Sequence, residues 1–279
     1  MKKTIPLFLL CAVLFTACAS SQYGVETPDP QIFVCEETYG ELFYAGALRK
    51  TDGALAEALD AALASMIEDG TAGLICEKWL RQDLIAYDTS AQYEVQPGDE
   101  SLKAVREAGT LKVGYMTDCY PMSFSDANDS VQGCDVDLIS EAARRMGLSV
   151  TFEKVGWENQ VAKLNNGDID VIFSGLGITE AVEKELLLTR GYLKTTFSLL
   201  VGSQNEGKNL SELSGKTLGA PDSSAAFDFL AEYGVPEENL MAFTSASYGY
   251  YRLKERRVDA LLVDTPFADW VARGKMQER

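Results

Sequence analysis

Histidine is absent from the 279 residues of this sequence. Its absence excludes catalysis by serine–histidine–aspartate or cysteine–histidine groups and any metal site with histidine ligands. Positive charge is also scarce, since 25 lysines and arginines stand against 42 aspartates and glutamates and the formal net charge is -17. Such a surface repels phosphate backbones, so we expect no nucleic-acid partner. The cysteines form no CxxC pair, which excludes a zinc ribbon, and we predict neither a metal nor a cofactor.

What the sequence does contain is typical of a folded protein. Hydrophobic residues make up 46% of the chain and charged residues 24%. These proportions exclude a disordered chain, a collagen-like chain and a coiled coil. At roughly 150 residues per domain, the length predicts about two domains or lobes.

The first residues are typical of an export signal. Lys2 and Lys3 precede an apolar run over residues 5–15. The run is too short to span a bilayer as a stable helix. It ends in Phe15-Thr16-Ala17-Cys18, and small residues directly before a cysteine resemble the signal of a bacterial lipoprotein.

We therefore predict a signal peptide over residues 1–17, lipidation of Cys18 and a polar tether over residues 18–30. The alternative is an ordinary secretory signal cut near Ala17 or Ala19. Both interpretations predict export. Lipidation would also anchor the protein to the extracytoplasmic face of the cell membrane, because buried acyl chains hold a protein on a bilayer.

From Ser101 onward, strand patterns alternate with helix patterns. The predicted strands cover residues 111–115, 150–155, 169–173, 197–201, 217–220, 240–243 and 259–263, and the predicted helices cover residues 136–146, 157–164, 179–188, 224–233 and 248–255. This alternation predicts parallel sheets flanked by helices, with ligands at the carboxyl ends of strands. Ahead of it we predict short strands at residues 32–34 and 43–48, and helices that begin near Asp52 and Thr71.

Several short motifs in the alternating region match one family in order and spacing. They cover residues 111–114, 120–124, 133–138, 157, 167–172, 174–179, 192 and 258–264. Together they resemble the polar-amino-acid family of bacterial substrate-binding proteins, which are two-lobed receptors of ABC importers. The resemblance implies an α/β periplasmic-binding-protein type 2 fold. Each lobe would be a mainly parallel sheet flanked by helices, and a two-strand hinge would join the lobes.

The order of the segments departs from this family. In the family, the chain returns from the second lobe to the first and ends in two helices. Here residues 43–50 resemble the returning strand, and residues 52–80 resemble the closing helices. We therefore interpret the sequence as a circular permutant, since permutation succeeds where new ends are exposed. The alternative is the tail of one receptor copy followed by the head of another, with the segments swapping between chains.

The permutant interpretation divides the chain into segments. Residues 31–86 are the relocated C-terminal segment, which supplies the end of lobe 2, a hinge strand and lobe 1 helices. Residues 87–100 form a linker that joins the old termini and extends up to roughly 46 Å at about 3.3 Å per residue. Lobe 1 then covers residues 101–193, a hinge strand 194–201 and lobe 2 residues 202–279. A ligand that contacts both lobes would shift the population toward a closed form.

Two acidic residues are candidates for binding a cationic ligand. Asp264 follows a predicted strand and precedes Thr265-Pro266. In the family, an aspartate at this position accepts a hydrogen bond from the ligand's α-ammonium group, and the compatible alternative is a helix N-cap ahead of Pro266. Asp118 lies on the loop after the strand over residues 111–115, where it is either a second cation-facing acid or a turn cap.

Three aromatic residues match positions at or near the ligand in family members: Tyr120, Phe124 and Trp157. Flat rings enclose aliphatic side chains and attract cations. For Phe124 and Trp157, packing in the core is an equal alternative. We expect Tyr120 to project into the cleft between the lobes.

The loop over residues 174–179 joins a strand to a helix. We predict that Ser174, Gly175, Gly177 and Thr179 contact the ligand, with backbone N–H groups binding a carboxylate. Gly177 stands where the family commonly has a threonine. Ser223 and Ser224, at the start of a lobe 2 helix, are the matching candidates on the other side. Simple N-capping by Ser223 is the alternative there.

Val182 departs most from the family. It stands where the resemblance implies an arginine that grips the ligand's α-carboxylate in a two-pronged salt bridge. We expect Arg190 to lie at the surface rather than to replace it. The loss of such a contact costs roughly a hundredfold in affinity. The ligand is then not a standard α-amino acid, or it binds weakly, or N–H groups alone hold its carboxylate. The acids at 118 and 264 favour a more cationic ligand, such as an amine or a decarboxylated amino acid.

Cys119 and Cys134 flank a loop beside the predicted cleft. Export permits a disulfide between them, and two reduced thiols are the alternative. Cys35 and Cys76 fall in different predicted lobes, so we do not pair them.

Three classes of function follow from the resemblance. The first is a lipid-anchored binding protein that delivers a small polar amino-acid-like or amine-containing solute to the permease of an ABC importer. No nucleophile–base pair stands out, so we predict that the protein is not an enzyme. A ligand sensor or interaction protein without a transport role is the alternative. An enzyme similar to cyclohexadienyl dehydratase is less expected, because Val182 removes the carboxylate grip that this chemistry needs.

Overall fold

A computed structural model describes residues 31–87 and 93–276. The predicted signal peptide at residues 1–17, the lipidation site Cys18 and the tether at residues 18–30 lie outside this part of the chain. Residues 88–92 of the predicted linker also lie outside it. Within the described part, no helix has the length and apolar character needed to cross a membrane.

Thirteen strands and nine α-helices make up the described part of the chain. The strands are β1 (Ile32–Tyr44), β2 (Ala47–Leu48), β3 (Thr110–Tyr115), β4 (Asp118–Cys119), β5 (Ser123–Ser125), β6 (Val131–Gln132), β7 (Ser149–Lys154), β8 (Val171–Ile172), β9 (Leu187–Leu188), β10 (Leu193–Gly202), β11 (Leu218–Pro221), β12 (Leu240–Phe243) and β13 (Ala260–Asp264). The helices are α1 (Gly53–Glu68), α2 (Thr71–Leu80), α3 (Ser101–Ala108), α4 (Cys134–Arg145), α5 (Gln160–Asn166), α6 (Glu180–Glu185), α7 (Ala225–Glu232), α8 (Ala246–Lys254) and α9 (Thr265–Ala272).

Two five-stranded sheets define two lobes. The first lobe contains the sheet β7-β3-β8-β2-β9 with helices α1 to α6, and the second contains the sheet β1-β10-β13-β11-β12 with helices α7 to α9. The small sheet β4-β5-β6 belongs to the first lobe, where it contacts α4. This two-lobed α/β architecture agrees with the fold class expected from the sequence.

The sheets are evenly mixed rather than mainly parallel, which corrects one expectation. Each sheet has two parallel and two antiparallel strand pairs. The antiparallel pairs all involve β1, β2 or the neighbours of these strands. The β-α alternation of residues 110–264 indicates parallel strands, because a crossover helix returns the chain to the same direction. Within that region β10 nevertheless pairs antiparallel with β13.

One pair of strands runs past both lobes. β1 and β10 pair antiparallel from Ile32 opposite Gly202 to Tyr44 opposite Leu193, with irregularities near Thr38 and Leu42. The sequence predicts two short strands over residues 32–34 and 43–48, whereas β1 continues through the intervening polar residues. Residues 36–38 are exposed, and the pairing with β10 is irregular between Val34 and Thr38 before it resumes.

Residues from the N-terminal segment complete the first lobe. β2 lies between β8 and β9, with Ala47 opposite both Ile172 and Leu188. Helices α1 and α2 pack on α4 through buried side chains such as Leu59 and Cys76. The predicted helix over residues 179–188 ends at Glu185, because Leu187 and Leu188 pair with β2.

Candidate functional site

A cavity of about 80 Å³ lies between the two lobes. On the same volume scale a single water molecule needs roughly 10–15 Å³, so the cavity is large enough for a small organic solute. The first lobe contributes residues from the loops after β3 and β8, and the second contributes the starts of α7, α8 and α9. We call this space the interlobe cavity. It lies at the carboxyl ends of β3, β8, β11 and β13, where ligands of such folds bind.

Asp264 is the last residue of β13 and lines the interlobe cavity. It occupies the N-cap position of α9, yet its side chain makes no capping hydrogen bond. The hydroxyl of Tyr44 donates to its Oδ2 at 2.5 Å. Within the described part of the chain, no other group donates a hydrogen bond to this carboxylate. Capping therefore does not explain the side chain, and Oδ1 stays available to a ligand.

Burial controls the titration of this pair. It raises the pKa of Asp264 to about 6, although the hydrogen bond from Tyr44 opposes the shift. Burial and the neighbouring carboxylate together raise the pKa of the Tyr44 hydroxyl. Asp264 is consequently ionised at neutral pH but costly to keep charged without a cationic partner.

Asp118 lies on the opposite wall, at the start of β4. Its Oδ2 accepts a hydrogen bond from the Ser245 hydroxyl at 2.7 Å, and its carbonyl oxygen accepts one from Ser247 at 2.8 Å. Both serines belong to the second lobe, so Asp118 joins the lobes as well as lining the cavity.

The electrostatics of the cavity are one-sided. Among the described residues that line it, Asp118 and Asp264 are acidic, and none is a lysine or an arginine. Val182, in the position of the expected arginine, lines the cavity and packs near Trp157. Arg190 lies elsewhere, with its Nε 3.7 Å from a carboxylate oxygen of Asp60, and does not line the cavity.

The predicted aromatic residues separate into two groups. Tyr120 and Trp157 line the interlobe cavity. Phe124 does not line it, because its ring packs against Trp79, Tyr120 and Trp270 with centroid distances of 5.9, 4.7 and 5.7 Å. Of the two roles predicted for Phe124, packing in the core matches the structure, and its ring lies where the two lobes meet.

The predicted ligand residues in the loop over residues 174–179 also fall into two groups. Gly175, Gly177 and Thr179 line the cavity, whereas Ser174 is fully buried behind it. The Ser174 hydroxyl accepts a hydrogen bond from the Met116 N–H at 3.0 Å and shares another with Ser123, so it joins loop segments rather than facing a ligand.

Several donors expected to bind a carboxylate already have partners. The Gly175 N–H donates to Asp135, and the Ile178 N–H donates to the Phe43 carbonyl oxygen at 2.9 Å. The Thr179 hydroxyl caps α6 by accepting from the Val182 N–H at 3.3 Å. These contacts shape the loop and leave fewer free N–H groups than its sequence suggests.

Gly177 has a steric explanation. A Cβ at this position would lie 2.9 Å from the Leu42 side chain in β1. Gly177 also forms an isolated antiparallel bridge with Tyr44. A larger residue at this position would require the Leu42 side chain to shift.

Ser223 and Ser224 both line the cavity, in different roles. Ser224, not Ser223, caps α7, because its hydroxyl accepts from the Phe227 N–H at 3.2 Å and donates to the Pro221 carbonyl oxygen at 2.6 Å. Ser223 adopts a φ of 53°, in the left-handed region that glycine favours.

The Cys119–Cys134 disulfide is not formed, and all four described cysteines are free. The Cys119 thiol donates to the Ser174 carbonyl oxygen at 3.5 Å. Cys134 is buried at the start of α4, where its thiol interacts with Cys76 of α2. The two thiols therefore face different neighbours.

Sequence reasoning missed several residues that line the cavity: Leu42, Tyr44, Met116, Met122, Ser245 and Phe267. Tyr44 is the most important, since it holds Asp264 across 220 positions of sequence. One signal could have found it, because Tyr44 lies in the segment that resembles the family's returning strand.

Asp135 supports the site from behind. It is fully buried and accepts hydrogen bonds from the Tyr192 hydroxyl at 2.7 Å and from the Gly175 N–H at 2.5 Å. Tyr192 in turn stacks on Phe173 with ring centroids 4.7 Å apart. This network fixes the loop that forms one wall of the cavity.

Comparison with known proteins identifies a family and several relatives with similar sequences. The model of the family described as bacterial extracellular solute-binding proteins, family 3, matches residues 111–268. The L-cystine-binding protein TcyJ of Escherichia coli K12 is 27% identical over 165 residues, covering 58% of this chain and 62% of that protein. The ABC transporter arginine-binding protein 1 of the same organism is 23% identical over 145 residues, covering 52% and 59%. The chain thus spans about three-fifths of the length of these relatives.

Solved structures show the same fold. The arginine-bound form of truncated ArgBP from T. maritima has a TM-score of 0.54 and 27% identity, covering 60% of this chain and 78% of that one. A substrate-binding protein of an ABC uptake transporter from Streptococcus pneumoniae, with bound histidine, has a TM-score of 0.58 and 23% identity, covering 62% and 72%.

Proposed function

Because the chain belongs to the bacterial extracellular solute-binding proteins of family 3, we propose that it captures a small amine-containing or amino-acid-like solute in the interlobe cavity. We further propose that it delivers this solute to the permease of an ABC importer. The relatives described as cystine- and arginine-binding proteins support a nitrogen-containing solute. On this proposal the protein binds its solute and does not transform it.

The carboxylate of Asp264 carries the proposal. It is partly buried, it lines a cavity of suitable size, and Tyr44 occupies only one of its oxygens. An ammonium group would supply the missing donor and charge, and a charge-assisted hydrogen bond contributes about 1.5–3 kcal/mol. Tyr120 and Trp157 offer ring faces that enclose the remainder of the solute.

Contacts between the lobes support capture by closure. The Ser245 hydroxyl donates to Asp118, and the Tyr120 and Trp270 rings stack with centroids 5.9 Å apart. A guanidinium N–H of Arg273 donates to the Trp79 carbonyl oxygen at 3.1 Å. A solute that contacts both walls adds to these interactions only when the lobes meet. It would therefore shift the population toward the closed form about the β1–β10 hinge.

The location follows from the same proposal. We place the protein on the extracytoplasmic face of the cell membrane, anchored by a lipid on Cys18 after removal of residues 1–17. The family description as extracellular supports this location.

The circular permutation is also a proposal. Three observations support it: β1 pairs with β10, β2 completes the first sheet, and α1 and α2 cover α4. If the segment instead swapped between chains, the purified protein would be a dimer. Light scattering after size-exclusion chromatography should therefore give a monomer mass.

A thermal-shift screen of the purified protein tests the binding function. The library should contain amino acids, polyamines, small amines and carboxylates. A specific ligand at a hundred times its Kd adds about 2.7 kcal/mol of stability, which is a readable shift. The shift should disappear in Asp264→Asn and persist in Asp228→Asn, a matched change at an exposed position of α7. A well-folded protein that responds to no compound would contradict the proposal.

A further inference from the structure

We propose that the interlobe cavity selects organic amines that carry no carboxylate and discriminates against the corresponding α-amino acids. This inference rests on the proposed function and names the chemical class of its solute. Its basis is the juxtaposition of Asp118, Asp264 and the apolar side chain of Val182 around one small cavity.

The first argument is charge. Two carboxylates line the cavity, and none of the described residues that line it is a lysine or an arginine. An organic ammonium ion finds a partner in Asp264 without bringing further negative charge. A carboxylate on the same solute would enter an already negative, poorly solvated space, where like charges repel strongly.

The second argument concerns donors. A bound carboxylate needs several hydrogen bonds to offset its lost hydration. The hydroxyls of Tyr44, Ser245 and Ser224 already donate to Asp264, Asp118 and the Pro221 carbonyl oxygen. These three groups can bind a ligand carboxylate only by giving up an existing hydrogen bond.

The backbone of the loop beside Val182 offers few free donors. In the loop beside Val182, the N–H groups of Gly175, Ile178 and Val182 donate to Asp135, the Phe43 carbonyl oxygen and the Thr179 hydroxyl. The hydroxyls of Ser223 and Thr179 and the first N–H groups of α7 and α8 are neutral donors at the cavity. They do not match the two-pronged, charged grip of a guanidinium group.

The third argument is the wall around Val182. This side chain packs in a cluster with Met116, Leu176 and Trp157, and all four line the cavity. Such a surface suits methylene groups and rings. A carboxylate placed against it would lose water without gaining a partner, whereas the carbon chain of an amine gains apolar contact.

Matched pairs of ligands test the inference. Isothermal titration calorimetry at pH 8 should compare agmatine with arginine, cadaverine with lysine, and isoamylamine with leucine. In the pair that binds best, we expect the amine to bind at least tenfold more tightly than its amino acid. Equal or tighter binding of the amino acid would overturn the inference while leaving the proposed function intact. No binding of any of the six compounds to folded protein would contradict both.

A substitution reverses the preference. Val182→Arg places a guanidinium group on the wall that lacks one, so it should tighten amino-acid binding at least tenfold and weaken amine binding. Ala181→Arg is the matched control, since it adds the same charge at an exposed position of α6 that does not line the cavity, and it should keep the amine preference. If Val182→Arg fails to fold, Val182→Lys supplies the charge in a more flexible side chain. A folded cationic variant that still prefers the amine would overturn the inference.

Discussion

Asp264 and Asp135 each accept a hydrogen bond from a tyrosine hydroxyl, and burial raises the pKa of both carboxyls, to about 6 and about 7. Their surroundings differ. Asp135 is fully buried, and the Gly175 N–H supplies a second donor to its other oxygen. Asp264 lines the interlobe cavity with one oxygen that no described group reaches.

This difference in hydrogen-bond partners distinguishes a structural carboxylate from one that can bind a ligand. A buried carboxylate whose oxygens are both occupied holds structure in place, because any loss of a partner leaves an unsatisfied charge. A carboxylate with one oxygen open to a cavity is incomplete until a ligand arrives. A tyrosine–aspartate pair therefore has a structural role where a second group donates to the carboxylate, as in Asp135. It has a binding role where the second oxygen faces a cavity, as in Asp264.

The largest effect should come from Asp264→Asn. Removing the charge deletes a charge-assisted hydrogen bond to the solute's ammonium group, so affinity should fall by roughly a hundredfold. Calorimetry with the best amine checks this. The unliganded variant should be at least as stable as the wild type, because a costly desolvated charge is gone. Unchanged affinity would remove Asp264 from the site.

Tyr192→Phe should act on stability instead. The change takes one donor from the fully buried Asp135, and the expected loss is about 1–3 kcal/mol of unfolding free energy. Urea denaturation at pH 8 measures it. Affinity should stay far closer to wild type than in Asp264→Asn. A large loss of affinity with unchanged stability would break the distinction between the two pairs.

Affinity for a cationic solute should depend on pH through Asp264. Its pKa of about 6 means that the ionised form prevails above pH 7, and affinity should fall toward tenfold per pH unit well below 6. The titratable groups facing it are Tyr44, Cys119 and Asp118, and burial raises the pKa of the first two. The decrease should be absent in Asp264→Asn, whose calorimetric titration from pH 5 to 8 is the control.

The stability of the unliganded protein should depend on pH in the opposite direction to the affinity. The pKa of Asp264 is raised above its ordinary value of 3.8, so the folded state takes up the proton first. The stability that protonation contributes is fully present below about pH 4 and is lost as the pH rises through about 6. Ligand binding should therefore stabilise the protein most above this window.

Tyr44→Phe should give the smallest effect. Losing the hydroxyl raises the pKa of Asp264 further, because the hydrogen bond favours the ionised form. At pH 8 the loss of affinity should be at most about tenfold. The midpoint of the pH dependence should move upward. An unmoved midpoint, measured by calorimetry across the same pH range, would show that Tyr44 does not tune the carboxylate.

The fold was largely predictable wherever local patterns carry it. The helices over residues 134–145 and 53–68 and the strands over residues 110–115 and 240–243 lie close to their predicted positions, since each has a local apolar pattern. Helix α3 was missed because it is only eight residues long and Val105 is its single buried residue, which gives no clear apolar period. β1 was divided because its middle is exposed, and only pairing with β10 completes it.

The candidate site was partly predictable. Of the predicted ligand residues, Asp118, Asp264 and seven others line the cavity, whereas Phe124 and Ser174 pack behind it. A motif places a residue on a loop after a strand, but it does not state which way the side chain turns. Neighbours from other segments decide that, as Trp270 does for Phe124 and Met116 for Ser174.

By itself, the sequence determined the absence of histidine chemistry, the acidic character, the α/β lobes and the valine at position 182, because composition and local periodicity need no distant partner. Only the tertiary structure decided that Tyr44 binds Asp264, that Ser245 binds Asp118 across the lobes and that Cys119 and Cys134 stay apart. Each of these outcomes depends on side chains from segments far apart in the chain, whose distances follow from packing rather than from spacing.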